Sequence, residues 1–220
     1  MPDSRAALLI AGVALAAALA ARVAWPFDGL YWQDAFAYFS YARALWPWLL
    51  RGVPLPIYYW PAGYPILVAL ALPLFGGSSA AGQAVSIASI AAAAACTFLL
   101  CRELLPDAPA GRPAAWAAGL AVALCGDALR AGLVTMSDAL ALACCAAAML
   151  ALAHYRRIGR GRWLAAAAVA LGCAVITRWV CGLLAVPLLG FWILDFGSGN
   201  PESKIQNPKS ISWLRSRSAR

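Results

Sequence analysis

From residue 52 to residue 101 the chain contains no Asp, Glu, Lys or Arg. A stretch of that length without charge is hard to keep in water, whereas a helix crossing a bilayer needs only about 20 apolar residues. Further apolar runs occupy 6–21, 114–126, 139–155 and 163–193, separated by short polar segments. Hydrophobic residues make up 64% of the sequence and charged residues 12%, against about half and a quarter in soluble domains. An ordinary cytosolic enzyme, a disordered chain and a soluble nucleic-acid-binding module are all excluded. The expected fold is all-α, a polytopic transmembrane helical bundle.

The formal net charge of +8 invites a nucleic-acid reading, but its distribution argues otherwise. Arg156, Arg157, Arg160 and Arg162 stand between two apolar runs, and more basic residues crowd the stretch after residue 204. Basic loops between spans are what the positive-inside rule expects of cytoplasmic segments. No soluble module presents a basic face, so membrane lipids are expected as partners and nucleic acid is not. With the N-terminus inside, 26–79 falls outside, 102–113 inside, 127–138 outside, 156–162 inside and 177–181 outside. The chain is then expected to be a multi-pass protein of the inner (plasma) membrane. Asp28, Asp34, Asp127, Asp138 and Arg178 all come to its non-cytoplasmic side.

The run 6–21, framed by Arg5 and Arg22, has the dimensions of a secretory signal. Arg22 can snorkel, however, which extends the run to Trp25, and more spans follow; an uncleaved first helix is the better reading. The texture then changes over 26–65, where prolines alternate with Trp and Tyr. Apolar residues recur at helical spacing over 34–50, which reads as an amphipathic helix lying along the membrane surface between helices 1 and 2. A proline-punctuated loop is expected over 53–65, a short apolar helix over 66–75, and a full span over 81–100. The run 163–193 suits two short helices or a hairpin, breaking around Thr177 and Arg178. Residues 1–196 form the transmembrane region, and the Gly-, Ser- and Asn-rich segment 197–220 reads as a disordered basic tail.

Seven cysteines lie in or beside apolar runs, with no Cys-x-x-Cys pair and a single His, His154. Such thiols act as small apolar residues, and zinc sites favour closely spaced Cys and His pairs. No metal site and no cofactor are indicated, although a divalent metal remains compatible with the sequence.

Five charged residues merit weighing. Asp34, at the start of the surface helix, suits an N-terminal cap; equally, it suits a carboxylate at the membrane–water boundary that takes a proton from an acceptor. Asp28, before Gly29, reads as a turn residue. Asp138 follows Ser137 and fits a cap, and Asp127 fits a helix end facing water. Arg178 is alone in about thirty apolar residues, and an ionisable group in such a run normally faces a cavity or a partner.

The run Gln33-Asp34-Ala35-Phe36-Ala37-Tyr38 follows the first span and opens the large outer loop. Tyr59-Trp60-Pro61-Ala62-Gly63-Tyr64-Pro65 comes next, then Ser137-Asp138-Ala139-Leu140 and Thr177-Arg178-Trp179. This order resembles the N-terminal part of the membrane glycosyltransferases with the C-type fold, the protein mannosyltransferases and aminoarabinose transferases among them. Asp34 and Tyr38 match the acidic motif at the start of the family's first outer loop. The segment 61–65 matches the stretch before its second juxtamembrane helix. The resemblance implies a lipid-linked sugar donor, a sugar on polyprenyl phosphate, used at the outer face. It implies Asp34 as the general base, with Asp138, Arg178, Tyr38, Trp60 and Tyr64 contacting substrate. Trp25, Tyr31, Trp32, Tyr58 and Tyr59 suit sugar stacking or, more commonly, interface anchoring. Many relatives carry Asp-Glu where this chain has Asp34-Ala35. They also continue through more helices, so a truncated copy is expected. The rival reading is a transporter or flippase subunit, which would show paired inverted halves; no internal repeat is evident.

Overall fold

A computed structural model describes residues 2–106 and 108–186. Met1–Gly182 forms one compact unit; of a second, Leu183–Arg220, only 183–186 are described. The expected tail at 197–220, and residues 187–193 of the run 163–193, lie outside the described residues.

Among the described residues the regular elements are helical. They are α1 (Asp3–Ala24), α2 (Trp32–Arg51), α3 (Gly63–Ala71, continued by a 3-10 turn Leu72–Phe75), α4 (Ala80–Leu104), α5 (Gly111–Leu124), α6 (Gly126–Leu133), α7 (Asp138–Ile158) and α8 (Gly161–Thr177). A 3-10 turn follows at Trp179–Leu184. Three of these helices, α1, α4 and α7, are long and apolar enough to cross a membrane, and α5 with α6 makes a fourth, bent candidate. The all-α bundle read from the sequence is the observed fold.

Helix α4 is the central post, with α1, α3, α5, α6 and α7 all packed against it. Its composition permits this. Ala81, Gly82, Ser86, Ala93 and Ala94 are buried along it, and small residues let helices approach closely where lipid supplies no hydrophobic drive. Ile10 and Ala14 of α1, Ala94 and Phe98 of α4, and Ala115 of α5 share one apolar cluster. At its centre a Cβ on Gly119 would stand 2.9 Å from Ile10 and 3.0 Å from Phe98.

The helix expected over 34–50 is present as α2, two residues longer at its start. It ends on Gly52, whose φ of +67° lies in the left-handed region that a C-terminal glycine supplies most readily. Two boundaries differ from expectation. Helix α3 begins at Gly63 rather than Ile66, because Pro65 falls in its first turn, where a missing N–H is not needed. The run 114–126 is not one compact span: Cys125 adopts extended geometry (φ −62°, ψ 126°) and the chain turns by 47° into α6. The break expected around Thr177 and Arg178 is there: α8 ends at Thr177, and the described chain continues as a 3-10 turn.

Ion pairs tie the helices at one end of the bundle. Arg102 lies 3.3 Å from Asp3, joining α4 to α1. Glu103 is paired to His154 Nδ1 at 3.0 Å and to the Arg157 guanidinium, joining α4 to α7. The opposite end carries the polar loops and the candidate site.

Candidate active site at the loop end of the bundle

The floor of the site is a set of buried polar side chains that satisfy unwound backbone. Gln83 of α4 donates through Nε2 to the carbonyls of Leu133, at 2.9 Å, and Phe27, at 3.2 Å. Its Oε1 accepts from Arg22 Nε at 2.9 Å. One turn on, the Ser86 hydroxyl donates to the Val134 carbonyl at 2.9 Å. The Thr135 N–H donates to the Gly29 carbonyl at 2.8 Å. Gly29 has a φ of +82°, and a Cβ there would sit 2.5 Å from Gln83, so only glycine fits. These bonds hold the 25–31 loop and the 134–137 linker against α4. Irregular backbone at membrane depth persists only where such partners exist.

On that floor the Arg178 guanidinium forms an ion pair with Asp138, both side chains about two-fifths exposed. Next to Asp138, the Ser137 hydroxyl lies 3.0 Å from the Tyr38 hydroxyl. Asp34 stands one helical turn before Tyr38 on α2 and is half-buried. Burial, first of all, holds the Tyr38 phenol above its usual pKa; the Ser137 bond and Arg178 pull it down, and Asp34 pushes it up. Asp34, Tyr38, Asp138 and Arg178 are thereby brought into one electrostatic neighbourhood. Neither α2 nor α7 is closed by a side-chain hydrogen bond from its N-cap residue, and the Asp138 carboxylate is engaged by Arg178. The alternative expected of Asp28 is what its geometry shows: its Oδ1 accepts from the Leu30 N–H at 2.9 Å, forming a local turn.

Residues far apart in sequence meet here because one glycine lets them. A Cβ on Gly63 would lie 2.7 Å from the Ile176 carbonyl oxygen and 2.9 Å from the Thr177 hydroxyl. The start of α3 is therefore seated directly on the end of α8, immediately before Arg178. Tyr64 is fully buried. Its hydroxyl donates to the Gly82 carbonyl at 2.9 Å and lies 2.8 Å from Ser86. It builds the wall of the site rather than facing the opening. Trp60 is exposed on the loop beyond.

Tyrosines fasten this loop to α2. Tyr41 stacks on Tyr58 with ring centroids 4.1 Å apart, and Tyr38 meets Tyr58 and Tyr64 edge-on at 6.0 and 5.4 Å. Burial also pushes the Tyr58 phenol up, so it stays protonated. Neither Tyr38 nor Tyr58 is a base at neutral pH, which leaves carboxylates for that work. Trp32, at the first turn of α2, holds a φ of +66°. For a bulky residue this is strained, at about 1–3 kcal/mol, and the strain sits two residues before Asp34.

Two hollows meet at Asp138. One, of about 750 Å³, is lined by Phe27, Tyr31, Trp32, Arg130 and Met136. The other, of about 450 Å³, is almost wholly apolar, with Ile90, Ala121, Val122 and Leu142 on its walls. Asp127 and Asp138 border both, and the break at Cys125 opens the second. Among the described residues, no group of three or more His, Cys, Asp or Glu is placed to hold a metal ion.

Sequence reasoning singled out the charged members of this site and missed Gln83, Ser86 and Ser137. A Gln and a Ser one turn apart on an otherwise apolar run were the available signal for the first two. It also left His154 without a partner, because Glu103 reaches it only through the packing of α4 against α7.

Fold and site together define a polytopic helical membrane protein with a charged cluster at one end of its bundle, beside an apolar hollow. The profile of the dolichyl-phosphate-mannose-protein mannosyltransferase family matches residues 60–209, more than half of the chain. The chain belongs to that family of membrane glycosyltransferases. No curated protein and no solved structure matches it.

Proposed function

We propose that the site transfers a sugar from a polyprenyl-phosphate donor to an acceptor at the outer face of the plasma membrane, with the N-terminus of the chain cytoplasmic. The observation that carries this reading is the Arg178–Asp138 pair, placed beside Tyr38 and Asp34 where an apolar hollow meets an aromatic one. A lipid-linked sugar needs that combination: an apolar bed for the lipid, a cation for the phosphate, and a wet side from which the acceptor arrives.

In this scheme Asp34 accepts the proton of the acceptor as its nucleophilic atom bonds to the anomeric carbon. The bond from that carbon to the phosphate oxygen breaks, and the electron pair leaves with the polyprenyl phosphate. Arg178 stabilises the negative charge that gathers there, an arrangement suited to guanidinium–phosphate geometry. Asp138 keeps Arg178 aimed and ionised until substrate arrives. Tyr38 links the Asp34 helix to Ser137, and Trp60 offers a ring at the rim. Tyr64 acts as the support beneath.

Membranes bearing the chain, given a radiolabelled sugar on polyprenyl phosphate, test this directly. Arg178→Gln removes the charge and is expected to lower transfer by a hundredfold or more, the range set by losing a transition-state donor. Arg178→Lys should recover part of it. Unchanged transfer by Arg178→Gln would contradict the assignment.

A further inference from the structure

The end of the bundle remote from the site holds a charged surface to which the glycosyltransferase reading gives no task. Helix α7 ends on Gly159, whose φ of +70° turns the chain sharply, and α8 starts at Gly161. Four arginines crowd this corner, Arg156, Arg157, Arg160 and Arg162. They differ in what they face. Arg157 is neutralised by Glu103, whose side chain is only 7% exposed. Arg160 and Arg162 are exposed, and among the described residues neither pairs with a carboxylate. The Arg162 guanidinium instead lies over the ring of Trp163, 5.5 Å from its centroid. Trp163 itself packs on His154, ring centroids 4.7 Å apart. The indole N–H is buried, with no acceptor among the described residues.

Three features of this corner point to a phosphodiester. Two exposed cations, Arg160 and Arg162, flank the first turn of α8, whose dipole favours negative charge. Its N-cap residue, Arg160, makes no side-chain capping bond. The guanidinium held over an indole sits at the level where Trp residues meet lipid headgroups, with exposed Ile158 and Leu164 on either side for acyl chains. A soluble anion would gain the charges and lose the apolar flanks.

We propose that Arg160, Arg162 and the start of α8 bind the headgroup of an anionic phospholipid from the leaflet that surrounds this end of the bundle. Basic pockets between membrane helices take such headgroups, with each arginine contributing roughly fivefold to affinity. The lipid would complete the polar shell of a corner whose inner half is closed by Glu103, His154 and Arg157.

Native mass spectrometry of the purified full chain tests the proposal with phosphatidylglycerol as the probe. Phosphatidylcholine serves as the neutral control and inorganic phosphate as the soluble one. Retained phosphatidylglycerol should exceed phosphatidylcholine on the wild-type chain. The double variant Arg160→Gln, Arg162→Gln should lose about twentyfold in affinity for it, and Arg160→Lys, Arg162→Lys should keep most of it. Arg51→Gln, at the other end of the bundle, should change nothing. Equal retention of the two lipids, undiminished binding by the double Gln variant, or equal binding of inorganic phosphate would each overturn the assignment. Circular dichroism of the double variant confirms that loss is not unfolding, since both side chains are exposed.

Discussion

At the basic end of the bundle, α1, α4 and α7 are joined by ion pairs, Asp3 with Arg102 and Glu103 with Arg157, and Glu103 also lies 3.0 Å from His154 Nδ1. At the loop end neutral hydrogen bonds from Gln83 and Ser86 of α4 run to the carbonyls of Phe27, in the loop after α1, and of Leu133 and Val134, where α6 ends. The half-buried ion pair there, Arg178 with Asp138, is accessible to a ligand. The difference follows from backbone. Helices that end cleanly expose few groups in need of partners, and side-chain charges can meet one another. A loop folded back against a central helix must have its carbonyls satisfied, and neutral amides do that without burying charge. Charge at the loop end is thus left for substrate.

Substitutions sharpen this contrast, the largest effect first. Gln83→Leu removes three hydrogen bonds and strands the Phe27 and Leu133 carbonyls and Arg22. At about 1 kcal/mol for each bond, a loss of about 3 kcal/mol is expected. Thermal unfolding in detergent should register a clear fall, and transfer should be lost with the loop. A chain as stable as wild type would show that the network is not what holds the loop down.

Gly63→Ala forces a methyl against the Ile176 carbonyl, and overpacking of this kind costs about 1–3 kcal/mol. Its sharper signature is functional, because the shift is delivered to Arg178. Transfer should fall further than stability does. Equal stability and equal transfer would mean that α3 and α8 are not in register as described.

Glu103→Gln, at the basic end, keeps the size of the side chain and removes its charge. Arg157 is half-exposed and can return to water, so about 1 kcal/mol is expected, screened by salt. Transfer should be almost unaffected. A large loss of transfer would show that the two ends are coupled.

The spans were legible in the sequence because a charge-free apolar run has few other destinations. Helix α2 was legible from the spacing of Phe36, Phe39, Tyr41 and Leu45, and the Asp28 turn from its Asp-Gly pair. The α5–α6 bend was not. Cys125 has no breaker chemistry, and Gly126 alone reads as the end of a run rather than a change of direction. The neighbourhood of Asp138 and Arg178 was legible as an expectation of topology, since alternation of spans brings both to one side. What holds them there was hidden. Gly63 and Gln83 act through contacts with residues far away in sequence, and a single sequence records which residues are small or polar without recording whom they meet. The role of Tyr64 shows the same limit: its motif marked it, but only packing shows its hydroxyl committed to Gly82 and Ser86.

The central claim is that Asp34 supplies the base beside the Asp138–Arg178 pair, while Asp28, six residues earlier, only shapes a turn. A paired assay of Asp34→Asn and Asp28→Asn compares them, reading sugar transfer from polyprenyl phosphate alongside membrane insertion. Asn keeps the size and the capping ability of Asp at both positions and removes only the basic carboxylate. Asp34→Asn is expected to insert normally and lose about a hundredfold or more in transfer, with Asp28→Asn close to wild type. Near-normal transfer by Asp34→Asn, or equal losses at the two positions, would contradict the account.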